Sequence, residues 1–71
     1  MNELDRLTQE IIATNRTYLG LLWHWEHGNH DRVMEQLAHL RQLEQQLIVL
    51  VGRDSAMRVM SDCYLSLLRS R

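Results

Sequence analysis

The chain has 71 residues, 45% of them hydrophobic and 24% charged, with three Gly, no Pro, no Phe and one Cys. That length allows a single domain over residues 1–71 and excludes a second, and a lone Cys excludes an intrachain disulfide, so the fold must rest on packing. Eight basic side chains, all Arg, against nine acidic ones give a net charge of −1, which excludes a protein held to nucleic-acid phosphates by bulk charge.

A domain this short buries only about 60% of the surface its unfolded chain exposes, so association with another chain is the starting expectation. No apolar run approaches the roughly 18 residues of a membrane span. The opening Met1-Asn2-Glu3-Leu4-Asp5 is acidic where a secretory signal is basic, so a cytoplasmic protein with no membrane contact is expected.

The apolar spacing predicts an all-α chain. Leu4, Leu7, Ile11, Thr14, Tyr18, Leu21 and Trp25 recur at alternating steps of three and four, the seam of a first helix over about residues 3 to 27. Asn2 can cap its start, with Glu3 and Asp5 facing the positive end of the helix dipole. Ile12, Leu19, Leu22 and Trp23 form a second stripe, and a helix apolar over so wide an arc must touch more than one neighbour. Gly20, inside this helix, costs up to about 1 kcal/mol relative to Ala; it marks either a tolerated loss or the close approach of another helix.

Gly28 stands where a left-handed residue would end the first helix, and Asn29 or His30 with Asp31 can begin the next, so His27 to His30 reads as a tight reversal. The second helix, about 30 to 51, carries Val33, Met34, Leu37, Leu40, Leu43, Leu47, Ile48, Leu50 and Val51 on one side. Arg32, Glu35, Gln36, His39, Arg41, Gln42 and Gln45 make its solvated face. Gly52 ends it, and Asp54 or Ser55 can cap a third helix from about 55 to 69. There Met57, Met60, Tyr64 and Leu67 form one stripe, flanked by Ala56, Val59, Cys63 and Leu68. The expected architecture is a long antiparallel helical hairpin plus a shorter third helix. Leu4, Leu7, Ile11, Tyr18, Leu21, Trp25, Leu40 and Leu47 are its expected core or dimer seam.

Trp23 to Asp31 is the most unusual stretch, with three of the four His, both Trp and two carboxylates in nine residues. His24 and His27, at i and i+3, could share a metal with His30 or Asp31 as a third ligand. Polar His at a surfaced helix end accounts for the same residues, no Cys is near and HExxH is absent, so no metal or other cofactor is expected. Trp23 and Trp25 lie about 200° apart around a helix, so at least one projects toward a partner. Trp23, His24, His27, His30 and Asp31 are the expected partner contacts.

Cys63 has two readings, a small buried hydrophobe or an interchain thiol near a dimer axis. Ser55, Ser61 and Ser66 lack a nucleophile-elbow context, no Gly-rich phosphate loop exists and no His adjoins Cys63, so no enzyme is expected. Met57 and Met60 fit a core, or an adaptable groove for partners. Arg53, Arg58, Arg69 and Arg71 concentrate charge near the C-terminus, but Asp54 and Asp62 interrupt it, so direct DNA binding is not expected.

Gln9-Glu10-Ile11, Asn15, Thr17-Tyr18-Leu19 and Leu21, followed by Asp31, Met34 and Leu37, resemble the N-terminal helices of FlhD-type flagellar transcriptional regulators, over about half the chain. Cys63 stands near the position of a cysteine at the FlhD dimer interface. The resemblance implies an all-helical intertwined homodimer that acts on transcription through a protein partner, FlhC in that family. The chain departs from it in stopping at Arg71 and in the glycine-containing turn His27-Gly28-Asn29-His30. In size and composition it also looks like small phage proteins that seize host regulators, including anti-quorum-sensing proteins and pilus-motor inhibitors. The expected function is thus binding and modulation of a bacterial transcription regulator, by inhibition or sequestration. The alternative is a flagellar or type III export chaperone of the FliT or YscE kind, covering a secreted subunit's helix.

Overall fold

A computed structural model describes residues 2–23 and 29–69. They form three helices, α1 (Glu3–Trp23), α2 (His30–Val51) and α3 (Arg53–Arg69), with no strand among the described residues. The protein is all-α, and each helix packs on both others. No helix among the described residues is long and apolar enough to cross a membrane.

α1 starts as its sequence dictates. Asn2 Oδ1 accepts a hydrogen bond from the Asp5 backbone N–H at 2.8 Å, satisfying one of the donors a helix start leaves open. Arg6 bridges Glu3 and Glu10 along one face, reaching Glu10 Oε1 at 2.6 Å, and its bond to Glu3 holds that carboxyl below the ordinary carboxylate range. All three side chains stay largely exposed, so the network orders the helix surface and adds little to stability. Residues 24–28 lie outside the described part of the chain. The expected end of the first helix near His27, the Gly28 turn and Trp25 fall among them.

α2 spans the residues its spacing predicts, with Asn29 at the N-cap position and its carbonyl accepting from the Val33 N–H at 2.9 Å. Gly52 ends it at φ 88° and ψ 162°, backbone that a side chain would strain. The same residue starts α3. The Gly52 N–H donates to the Ile48 carbonyl at 2.8 Å and its carbonyl accepts from the Ala56 N–H at 2.9 Å. The expected start at residue 55 is therefore corrected to Arg53. One glycine makes the whole connection, and Asp54 falls inside the first turn rather than capping it.

The core is one cluster of Leu7 and Ile11 from α1, Leu40, Leu43 and Leu47 from α2, and Ala56 and Cys63 from α3. Leu4, Ile12, Ile48, Val51, Val59 and Met60 pack around it, partly buried. Tyr18 and Leu21 are half-buried, and Leu19 and Val33 are buried outside the cluster. Met34 and Leu50, expected on the buried side of α2, are exposed, whereas Gln36, expected on its solvated face, is half-buried.

The face of α3 also differs from the expectation. Ala56 and Cys63, expected to flank, are the buried residues, while Met57 and Tyr64 of the expected stripe stand in solvent. Seven residues apart, Ala56 and Cys63 share one line along the helix. Small side chains on that line let the α3 backbone sit close to its neighbours, and the longer ones beside it are displaced outward.

Two polar residues of α1 are buried. Thr14 returns its hydroxyl to the Glu10 carbonyl at 2.7 Å. Asn15, 6% exposed, has no side-chain hydrogen bond to any described residue, yet no fully enclosed side-chain nitrogen or oxygen lacks a partner. The Asn15 amide therefore keeps an edge in contact with water.

Candidate functional site

The described surface offers apolar side chains rather than a cluster of reactive ones. At the end of α1, Leu22 and Trp23 are exposed, Trp23 by about half. Leu22 lies eleven residues after Ile11, on the same helical line, so the line that builds the core continues beyond what the described helices cover. Met34, in the second turn of α2, is exposed as well.

On α3, Met57, Tyr64 and Leu68 are each exposed by 38–39%. At 100° per residue they fall within about 40° of one another, a narrow strip on the flank of the helix, about 110° round from the Ala56–Cys63 line. Met60 and Leu67, half-buried, lie between this strip and the core line.

Shallow hollows lie elsewhere on the described surface. Glu3 from the first turn of α1 and Gln46, Val49 and Leu50 from the end of α2 line an apolar one. Val49, 88% exposed, is the most solvated large apolar side chain described. Asp62, Leu65, Ser66 and Arg69 line another, entirely on α3. Among the described residues no helix approaches Gly20 closely, since none of their atoms lies within 4 Å of where a Cβ would stand.

Of the expected partner contacts, Trp23, His30 and Asp31 are exposed, the latter two in the first turn of α2. His24 and His27 lie outside the described residues. Among the described residues no three His, Cys, Asp or Glu side chains converge where they could hold a metal ion. Leu7, Ile11, Leu40 and Leu47, read as core or dimer seam, are all interior to the single chain.

Cys63 is 5% exposed within the core cluster. Burial pushes its thiol pKa up, and the negative charge of Asp62 pushes it the same way, so the thiolate that reacts with disulfide reagents is scarce at neutral pH. The native protein is expected to react with an aromatic disulfide reagent far more slowly than the protein in denaturant. Equal rates in the two conditions would place the thiol at the surface.

No family model, no curated protein and no solved structure matches the chain.

Of the strip Met57–Tyr64–Leu68, sequence reasoning offers only Met57 as a candidate for a partner groove. The available signal was the Ala56/Cys63 pair, which shows which side of α3 can approach another helix closely. Val49 was legible in principle, as a single apolar residue facing away from the Leu40–Leu43–Leu47 line of α2.

Proposed function

We propose that the chain is a small non-enzymatic regulatory protein of the cytoplasm, which binds a bacterial transcription regulator through protein–protein contacts. It modulates that regulator by inhibition or sequestration, as phage anti-activator and anti-quorum-sensing proteins do, on a FlhD-like helical homodimer. In this reading α1 and α2 are the arms of an antiparallel hairpin. Glu3 at the start of α1 shares a hollow with Gln46, Val49 and Leu50 at the end of α2, as antiparallel arms require. A long axis of 38 Å is also close to the ~33 Å of a single 22-residue helix.

The observation that carries the reading is the exposed pair Leu22–Trp23 at the end of α1. Trp is the side chain most often found at the energetic centre of a protein interface, where its large apolar body leaves water and its N–H finds an acceptor. His30 and Asp31 begin the helix that follows and supply a polar rim.

The test is capture from a bacterial lysate with the wild-type chain and with Trp23→Ala. Wild type is expected to retain a transcription regulator and Trp23→Ala to lose most of it, with unchanged helical circular dichroism. Equal retention by both would overturn the assignment of Trp23. The exposed Met34 and Met57 support the second reading, an export chaperone, because flexible thioethers fit varied apolar helices. Retention of an exported subunit in place of a regulator would decide for it.

A further inference from the structure

We infer that the second half of α1 and the first turns of α2 open together as one unit, at a lower free energy than the rest of the fold unfolds, baring Leu19 and Val33. The inference deepens the reading above, on which this same end presents Leu22 and Trp23 to the regulator, and it adds a conformational step there.

The core stops short of this end. The buried cluster and the partly buried side chains packed on it reach along α1 only to Ile12, begin on α2 at Leu40 and finish on α3 at Cys63. Residues 13–23, 30–39 and 64–69 are helical yet supply no member of it. In those stretches the buried apolar side chains among the described residues are Leu19 and Val33. α3 does not seal this half either, because none of its described residues after Cys63 is buried and Leu67 is only half-buried. Sections with few buried apolar contacts open before the rest of a fold.

A polar layer separates the two halves. The buried positions of α1 run Leu7, Ile11, Thr14, Asn15 and Leu19, so a hydroxyl and an amide stand between the core and Leu19. Asn15 makes no side-chain hydrogen bond to a described residue and therefore does not tie the halves together. Leu19 and Val33 lie outside the core cluster, so the cover of each comes from this end of the bundle. Melting one arm uncovers the other.

The helix is also intrinsically weak here. Thr14, Asn15, Thr17 and Gly20 fall within seven residues of α1, and all four are poorer helix formers than the Leu, Glu and Arg of its first turns. The hydroxyls of Thr14 and Thr17 donate back to the Glu10 and Ala13 carbonyls at 2.7 and 3.2 Å, a bond that bends and slightly loosens a helix. Gly20 has open space around its Cα, so among the described residues no close packing offsets its cost. The Asn2 cap and the ion pairs of Arg6 with Glu3 and Glu10 all reinforce the opposite half.

Residue-resolved amide hydrogen exchange on the full chain, with no partner added, tests the inference. Tyr18 to Trp23 and Met34 to His39 are expected to share one level of protection, at least about tenfold below that of Ile11, Ile12 and Leu43 to Ile48. Gly20→Ala separates opening as a unit from independent fraying of two helix ends. It restores helix propensity without a clash and should slow exchange about fivefold in Tyr18 to Trp23. A joint opening passes the same fivefold slowing to Met34 to His39 on the other helix, whereas independent fraying leaves those amides unmoved. Protection at this end as high as in the core, or a Gly20→Ala effect absent from Met34 to His39, would overturn the inference. Failure is separable from failure of the regulator reading, because exchange is measured on the chain alone and capture through Trp23 is measured apart from it.

Discussion

Replacing Leu47 with Ala is expected to destabilise the protein by about 2–5 kcal/mol, the range found when a fully buried Leu is truncated and its surroundings collapse only in part. Leu47 is 0% exposed and belongs to the one cluster that joins all three helices, so the cavity would open where α1, α2 and α3 meet. A chain of 71 residues commands only about 4–10 kcal/mol of total stability at typical values per residue, so the loss takes a large share of it. Each kcal/mol moves the midpoint of a domain this size by roughly 4–8 °C, and a fall of at least about 8 °C in thermal unfolding should follow. The control lies two residues away. Val49 is 88% exposed on the opposite side of the same helix, and Val49→Ala should change stability by no more than about 0.5 kcal/mol. Equal shifts for the two variants would mean that α2 does not present Leu47 inward, and the helical register of the whole fold would be wrong.

That pair of variants also marks where the sequence was easiest to read. α2 has a strict apolar line, Leu40–Leu43–Leu47, ended by a glycine, and its bounds follow from the spacing. α3 was harder for a physical reason. It carries more apolar residues than one face can bury, and periodicity cannot say which of two adjacent apolar lines goes inward. Size decides it, because the Ala56–Cys63 line permits close approach and the Met57–Tyr64 line does not. The start of α3 was misplaced because Asp54 and Ser55 look like caps, whereas Gly52 alone satisfies Ile48 behind it and Ala56 ahead of it. The candidate surface was half legible. Trp23, singled out by residue type, stands exposed, and so does Met57, whose spacing fits either a core or an adaptable groove for partners.

Asn15→Leu is expected to stabilise the protein by about 1 kcal/mol and raise its unfolding midpoint by roughly 4–8 °C. Three effects have the same sign. The Asn15 amide is withdrawn from most of its water at 6% exposure without a hydrogen bond from the described chain, so removing it removes a desolvation penalty. Leu has nearly the same length and adds apolar contact beside Ile11 and Leu19, both buried on the same side of α1. Leu also suits a helix interior better than Asn, by a few tenths of a kcal/mol. The amide still touches water at one edge, which keeps the expected gain near 1 kcal/mol rather than the several that a sealed orphan group would give. The measurement is a thermal melt of wild type and variant at matched concentration, repeated at tenfold dilution. A higher midpoint at both concentrations fits a side chain that is a pure cost to the folded chain. A lower midpoint would mean that the amide has a hydrogen-bond partner in the assembled protein, and the packing assigned to α1 would then be incomplete at Asn15.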